Sequence, residues 1–125
     1  MKQLKWACFT FLGITLISII FQIIAFNSAT DIKMECEALY YEENINKEEY
    51  LRRLYLLEEK IERHAFAWDI IINHTETYSI ISLMNISIAY AENDDIATSK
   101  VNLSSTVYAI NQMLDREKIL FWNIF

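Results

Sequence analysis

Two histidines with nearby carboxylates are the residues of this chain best suited to metal or acid–base chemistry. His64 and His74 lie close in sequence to Glu62, Asp69 and Glu76. Zinc sites built on one helix need spacings such as H-x-x-x-H or H-E-x-x-H, which put both imidazoles on the same face. Positions 64 and 74 lie about 80° apart around a continuous helix. The spacing therefore predicts no metal site, and we expect no cofactor.

Glycine-dependent catalytic motifs do not occur in this sequence. The one glycine, Gly13, lies in an apolar N-terminal run. A nucleophile elbow, a phosphate loop and a dinucleotide fingerprint all require glycines at fixed positions. Adjacent carboxylates such as Glu58-Glu59 and Asp94-Asp95 point apart on a helix or belong to helix caps, so they do not form an acid and base pair. The sequence predicts a protein that is not an enzyme.

The N-terminal apolar run predicts a membrane-spanning helix from Trp6 to Phe26. The run contains no charged residue. At ~1.5 Å per residue, it covers about 30 Å, which is the thickness of the bilayer hydrocarbon, whereas a secretory signal core has only about 7–15 apolar residues. Cleavage after Ala29 would put Asn27 at the −3 position, where the signal peptidase needs a small residue. We therefore expect an uncleaved anchor in residues 1–29, followed by a domain in residues 30–125.

The charges around the anchor predict its orientation. Lys2 and Lys5 precede the span, so the positive-inside rule places the N-terminus in the cytoplasm and residues 30–125 outside it. Frequent Ile and Asn codons are typical of AT-rich bacterial, plasmid or phage genes. We therefore expect a single-pass protein of the inner (plasma) membrane, with the second segment in the periplasm or its extracytoplasmic equivalent.

The extracytoplasmic segment is strongly acidic. It carries all 17 acidic residues and lacks only Lys2 and Lys5 of the 11 basic ones, so its formal charge is −8. An acidic surface repels nucleic acid and favours a basic protein partner. The partners expected from composition are therefore the lipid bilayer and another protein, with no nucleic acid.

One cysteine lies in the predicted domain. Cys36 has no second cysteine there with which to form an internal disulfide, because Cys8 lies in the span. Two interpretations remain: a small buried hydrophobic residue, which we favour, or an intermolecular disulfide between two copies next to the membrane.

The sequence predicts an all-α fold. Proline is absent, and the one glycine, Gly13, lies in the span. The predicted domain therefore lacks the glycine and proline residues that turns between strands usually contain. Asn46 and Glu49 predict the start of a helix. Its apolar stripe recurs at steps of three and four residues, at Tyr50, Leu54, Leu57, Ile61, Ala65 or His64, and Trp68.

Three further helices complete the predicted architecture. The spacing of Ile32, Cys36 and Leu39 predicts that the membrane helix continues to about residue 43. A third helix is expected after Asn73 or Thr75. Residues 86–90 within it alternate between apolar and polar residues, so a strand is the alternative there. A fourth helix is expected after Asp94 or Asp95. Short turns between neighbouring helices predict an up-down four-helix bundle that continues the membrane helix.

Such a bundle brings two apolar segments close to the bilayer. These are the end of the second helix and the C-terminus. Membrane contact is one interpretation of them, and burial in the core or in a protein interface is an equally favoured alternative. The predicted lengths of the first two helices in the bundle disagree. Residues 31–43 of the first helix rise only ~20 Å, whereas residues 47–72 of the second rise ~39 Å. The possible interface residues are Phe66, Trp68, Phe121, Trp122 and Phe125.

The functional expectation is a membrane-anchored protein-binding module. It would serve as an accessory subunit of an envelope complex or as an immunity or exclusion factor, with acidic faces that attract a basic partner. The alternative is a small membrane-active protein, a lysis or pore-forming factor, that acts as a homo-oligomer through the span.

Overall fold

The fold is all-α, as predicted. A computed structural model describes residues 1–124, with side chains described up to Lys118, and no strand occurs in that part of the chain. The four helices are α1 (Lys2–Tyr41), α2 (Lys47–Ile71), α3 (His74–Glu92) and α4 (Ile96–Ile124).

The helices form the predicted four-helix bundle. Each helix packs against the next one along the chain, and α4 closes the ring by packing against α1. The connections between helices are short, so successive helices run antiparallel. Lys100 at the start of α4 donates to the Glu42 carbonyl oxygen at the end of α1, whereas Lys118 lies near Phe26 at the other end. The bundle therefore has a base, near Phe26, and a top, near Glu42.

Helix α1 is continuous through the predicted end of the span. It is long and apolar enough to cross a membrane. Its apolar side chains are mostly exposed up to Ile24, and from Ala25 onward one side of the helix is buried in the core. Ala25, Ser28 and Ala29, which the division at residue 30 assigns to the anchor, thus lie inside the bundle.

The predicted caps start the three shorter helices. The Asn46 side chain accepts a hydrogen bond from the Glu49 amide at 2.8 Å, and Asn73 accepts from the Thr75 amide at 3.0 Å. Asp95, one of the two predicted alternatives, accepts from the Thr98 amide at 3.1 Å. These bonds satisfy amides that have no partner within the first turn of a helix.

The ion pairs of α2 lie both within the helix and between helices. Arg63 binds Glu59, four residues earlier. Arg52 binds Glu49, three residues earlier. Arg53 leaves its own helix and binds Glu42 after α1, because the antiparallel neighbour brings that carboxylate within reach.

Contacts between α1 and α2 resolve the length mismatch. Three pairs hold the helices in one antiparallel register: Glu42 with Arg53, Glu35 with Lys60, and Ser28 with Trp68. In this register Ile71 lies level with Ile24, so α1 contributes residues below position 31 to the bundle. The first turns of α2 extend above the end of α1.

The predicted apolar stripes form most of the core. Tyr50, Leu54, Leu57, Ile61 and Trp68 of α2 are all buried, as are Ile32, Cys36 and Leu39 of α1. Residues 86–90 are helical, and the alternative strand is wrong because Ile88 packs inward on the helical stripe. Burial against the two neighbouring helices, α2 and α4, outweighs the weak strand propensity of such a segment.

A buried hydroxyl cluster joins three helices in the upper half of the bundle. Ser87 of α3 and Ser99 of α4 donate to each other's carbonyl oxygens at 2.5 and 2.6 Å. The Tyr50 hydroxyl of α2 lies 2.9 Å from Ser99 Oγ. A buried polar group without a partner destabilises the fold, so these bonds favour one alignment of the three helices.

We expect Ser99→Ala to lower the free energy of unfolding by about 1–3 kcal/mol, because it leaves the buried Tyr50 hydroxyl without its partner. Ser105→Ala on the same helix is the matched control, since Ser105 is exposed and bonds only within α4; its effect should stay within about 0.5 kcal/mol. Denaturant unfolding of the full chain in detergent, followed by circular dichroism, measures both. Equal effects of the two substitutions would contradict the role given to the cluster.

Candidate protein-interaction surface

Charge is distributed unevenly around the bundle. Charged side chains occur throughout α2 and along the upper part of α1. In contrast, residues 77–91 of α3 and 101–114 of α4 contain no charged residue. These two helices are neighbours, so the two uncharged stretches, each about 20 Å long, lie side by side on the acidic bundle and overlap over about 15 Å of its height.

The exposed residues of this uncharged side form what we call the α3/α4 face. Its most exposed large hydrophobic side chains are those of Tyr78, Tyr108 and Val101, with 73%, 64% and 63% of their surface accessible. The other members are mostly small or hydroxyl- and amide-bearing residues. The full set is Tyr78, Ser79, Asn85, Ile86, Ala89 and Tyr90 of α3 with Val101, Ser104, Ser105, Tyr108 and Gln112 of α4.

The hydroxyl cluster fixes the alignment of the two helices that form this face. Because Ser87 binds Ser99, Ile86 lies at about the same height as Val101. Charged contacts bound the face at both ends. At the base Arg116 of α4 binds Glu76 of α3, and at the top Lys47 of α2 binds Asp94 in the turn between α3 and α4.

The relief of the face is shallow. A depression of about 270 Å³ lies along α3 between Tyr78 and Ala89, with Ile81, Asn85 and Ile86 on its walls. Such a surface suits the side chains of another protein better than an enclosed small molecule. Tyrosine with serine and asparagine is a composition found at protein-recognition surfaces, because tyrosine adds contact area and the smaller residues add adaptable hydrogen bonds.

Trp68 is not part of an exposed surface. Its side chain is fully buried, and its indole Nε1 donates to Ser28 Oγ at 2.9 Å. The prediction of a surface anchor at Trp68 is therefore wrong. The physical reason is its position on the inward stripe of α2, where the largest side chain closes the base of the core. Phe66, two residues earlier, is exposed over 75% of its surface.

The residues predicted to bound the membrane span lie at the base of the bundle and below it. Trp6 is 73% exposed, and Phe26 is half-buried with Lys118 Nζ at 5.6 Å from its ring centre. Of the remaining possible interface residues, the side chains of Phe121 and Trp122 and the whole of Phe125 lie outside the part of the chain that the structure describes.

Cys36 is buried in the core and contacts no solvent. Burial, with the neighbouring carboxylates of Glu35 and Glu37, raises the pKa of its thiol from 9.0 to about 12. The intermolecular disulfide is therefore contradicted, because the sulfur cannot reach a second copy without unfolding. The alternative interpretation, a small buried hydrophobic residue, is confirmed.

The histidines do not converge on a site. His74 is exposed and lies 3.3 Å from Asp69 across the turn between α2 and α3, whereas His64 is half-buried farther up α2. Among the described side chains, no group of three or more His, Cys, Asp or Glu could hold a metal ion.

Comparison with known proteins adds no relative. The chain matches no protein-family model, no curated protein and no solved structure. The functional argument therefore depends on the surface of the molecule alone.

We expect Cys36 to resist thiol reagents while the bundle is folded. A rise in pKa from 9.0 to about 12 lowers the thiolate fraction near neutral pH by about a thousandfold, and burial blocks access as well. Maleimide labelling of a Cys8→Ser variant, with and without denaturant, measures this difference. Rapid labelling of the folded protein would contradict the core position of Cys36.

Proposed function

We propose that this chain is a single-pass, membrane-anchored module that binds protein through its α3/α4 face. The observation that carries the proposal is an uncharged, tyrosine-bearing face on an otherwise acidic bundle. Single exposed apolar residues are ordinary on protein surfaces, whereas a face without charge that extends along two helices is typical of an interface.

The exposure of α1 below the bundle supports the anchor. Its large apolar side chains include Trp6 at 73% and Phe11 at 74% exposure, and water would strongly disfavour such a surface. The hydroxyls of Thr10 and Thr15 donate to backbone oxygens one turn earlier, at 2.9 and 2.8 Å. Polar groups satisfied within the helix are compatible with lipid on all sides.

The charges suggest the cellular setting. Lys2 and Lys5 favour a cytoplasmic N-terminus in an inner membrane, with the bundle in the periplasm. There the module would act as an accessory subunit of an envelope complex or as an immunity or exclusion factor. Its acidic α1 and α2 surfaces would attract basic proteins, and the uncharged α3/α4 face would be a separate surface for close protein contacts.

We expect Ile86→Glu to reduce recovery of a crosslinked partner chain at least about tenfold, because an unpaired carboxylate buried in an interface costs more than the ~1.4 kcal/mol that a tenfold change requires. Leu56→Glu on α2 is the matched control, since Leu56 and Ile86 are 45% and 41% exposed. The measurement is crosslinking and affinity purification of the full-length protein from its native membrane.

Two results would contradict the proposal. Equal recovery with Ile86→Glu and with the unchanged chain would show that the α3/α4 face is not the binding surface. Loss of membrane potential or lysis on expression, unaffected by Ile86→Glu, would instead favour the membrane-active function through the span.

A further inference from the structure

We infer that the α3/α4 face binds the same face of a second copy, giving a parallel two-fold dimer with both anchors in one membrane. This inference rests on the proposed function and names the partner of that same surface. Three features of the described chain support it: the chemistry of the face, the charges on the other faces, and the orientation that α1 imposes.

The chemistry of the α3/α4 face is self-complementary. A two-fold interface brings a patch of one copy against the same patch of the other copy. The residues of the patch must therefore be able to bind one another. The hydroxyl and amide groups of Tyr78, Asn85 and Tyr108 both donate and accept hydrogen bonds, whereas a charged group needs a partner of opposite sign. The apolar side chains of Ile86 and Val101 can likewise pack against the same apolar side chains of a second copy.

The opposite side of the bundle disfavours self-association. Each of the five cations of α2 already has an acidic partner within the chain, and the pairs are Lys47 with Asp94, Arg52 with Glu49, Arg53 with Glu42, Lys60 with Glu35, and Arg63 with Glu59. Further carboxylates remain on α2, including those of Glu48 and Glu62. Burial raises the pKa of Glu58, and the nearby negative charges of Glu62 and Glu92 raise it further. Two such surfaces repel each other.

The geometry of α1 makes the pairing parallel. Two copies in one membrane point the same way, so their two-fold axis runs along the bundle. Rotation about that axis places α3 of one copy opposite α4 of the other. Because Ile86 and Val101 lie at the same height within one chain, Ile86 of one copy then lies opposite Val101 of its partner.

The size of the face explains why the membrane matters. Two helices about 10 Å wide and about 20 Å long present roughly 400 Å² per copy, which is half of the ~800 Å² in a standard interface. Contact of this size is weak between freely diffusing molecules. Anchoring in one bilayer raises the effective concentration and compensates for the small area. The dimer would also direct two acidic α1 and α2 surfaces outward, where each could meet a basic partner.

Disulfide crosslinking in membranes tests the dimer directly. Two differently tagged full-length chains, both carrying Cys8→Ser, are expressed together, one with Ile86→Cys and the other with Val101→Cys. We expect a mixed disulfide between them on mild oxidation. A second pair, Tyr90→Cys with Ala97→Cys, lies one turn higher and should crosslink as well. Both pairs occupy exposed positions, so their folding is readily checked by resistance of Cys36 to labelling.

Two controls give the experiment its specificity. Met34→Cys on α1 is 61% exposed, close to the 63% of Val101, and should not crosslink to Ile86→Cys. Tyr108→Cys is about 10 Å lower along α4 than Val101, so it should not crosslink to Ile86→Cys in a parallel dimer. Higher salt should increase the yield for the first pair, because it screens repulsion between two acidic domains.

The outcomes separate this inference from the proposed function. Absence of both mixed disulfides overturns the dimer. If a photoreactive residue at position 101 then crosslinks to a different membrane or periplasmic protein, the proposed binding function stands without self-association. If position 101 crosslinks to neither, both are wrong. Equal crosslinking at Met34 and Val101 would indicate random collision and would also overturn the dimer.

Discussion

The structure depends on one helix that has two different surroundings. Below Ile24, α1 exposes apolar side chains on most of its circumference, and from Ala25 upward its inner side is core. No break separates the two parts, because the helix runs from Lys2 to Tyr41. A bundle that hung from a flexible linker could take any orientation. With the anchoring proposed above, the continuous helix gives the bundle a base, a top and distinct sides relative to the membrane.

Buried polar contacts then align the remaining helices on α1. Near the base, the indole of Trp68 binds Ser28 and links α2 to α1. Higher up, Ser87 and Ser99 bind each other, and Ser99 also bonds the Tyr50 hydroxyl, which aligns α2, α3 and α4. Hydrophobic burial supplies most of the stability, but apolar helices can slide by one turn at small cost. Hydrogen bonds that lose their partners after such a slide make one alignment preferred.

Much of the helical architecture could be predicted from sequence because it depends on local signals. Asn46 and Asn73 cap their helices as expected, and the stripe from Tyr50 to Trp68 is buried. Features that depend on partner helices could not be predicted. Trp68 belongs to the predicted inward stripe, which indicates burial, but only the packing of α1 against α2 shows that its indole meets Ser28. The α3/α4 face was detectable in principle, since the gap in charge at residues 77–91 and 101–114 is visible in the sequence, but only the packing shows that both gaps lie on one side.

The central claim is that α1 holds the bundle upright, with its base at the bilayer surface. Spin labels at Ile70 and Tyr41 test it directly in the full chain reconstituted in vesicles, since both positions are exposed and lie at the base and the top of the bundle respectively. We expect lipid-soluble oxygen to reach a label at position 70, which is shielded from a water-soluble relaxation agent, whereas the water-soluble agent should be the main one to reach a label at position 41. Equal accessibility at the two positions would contradict it.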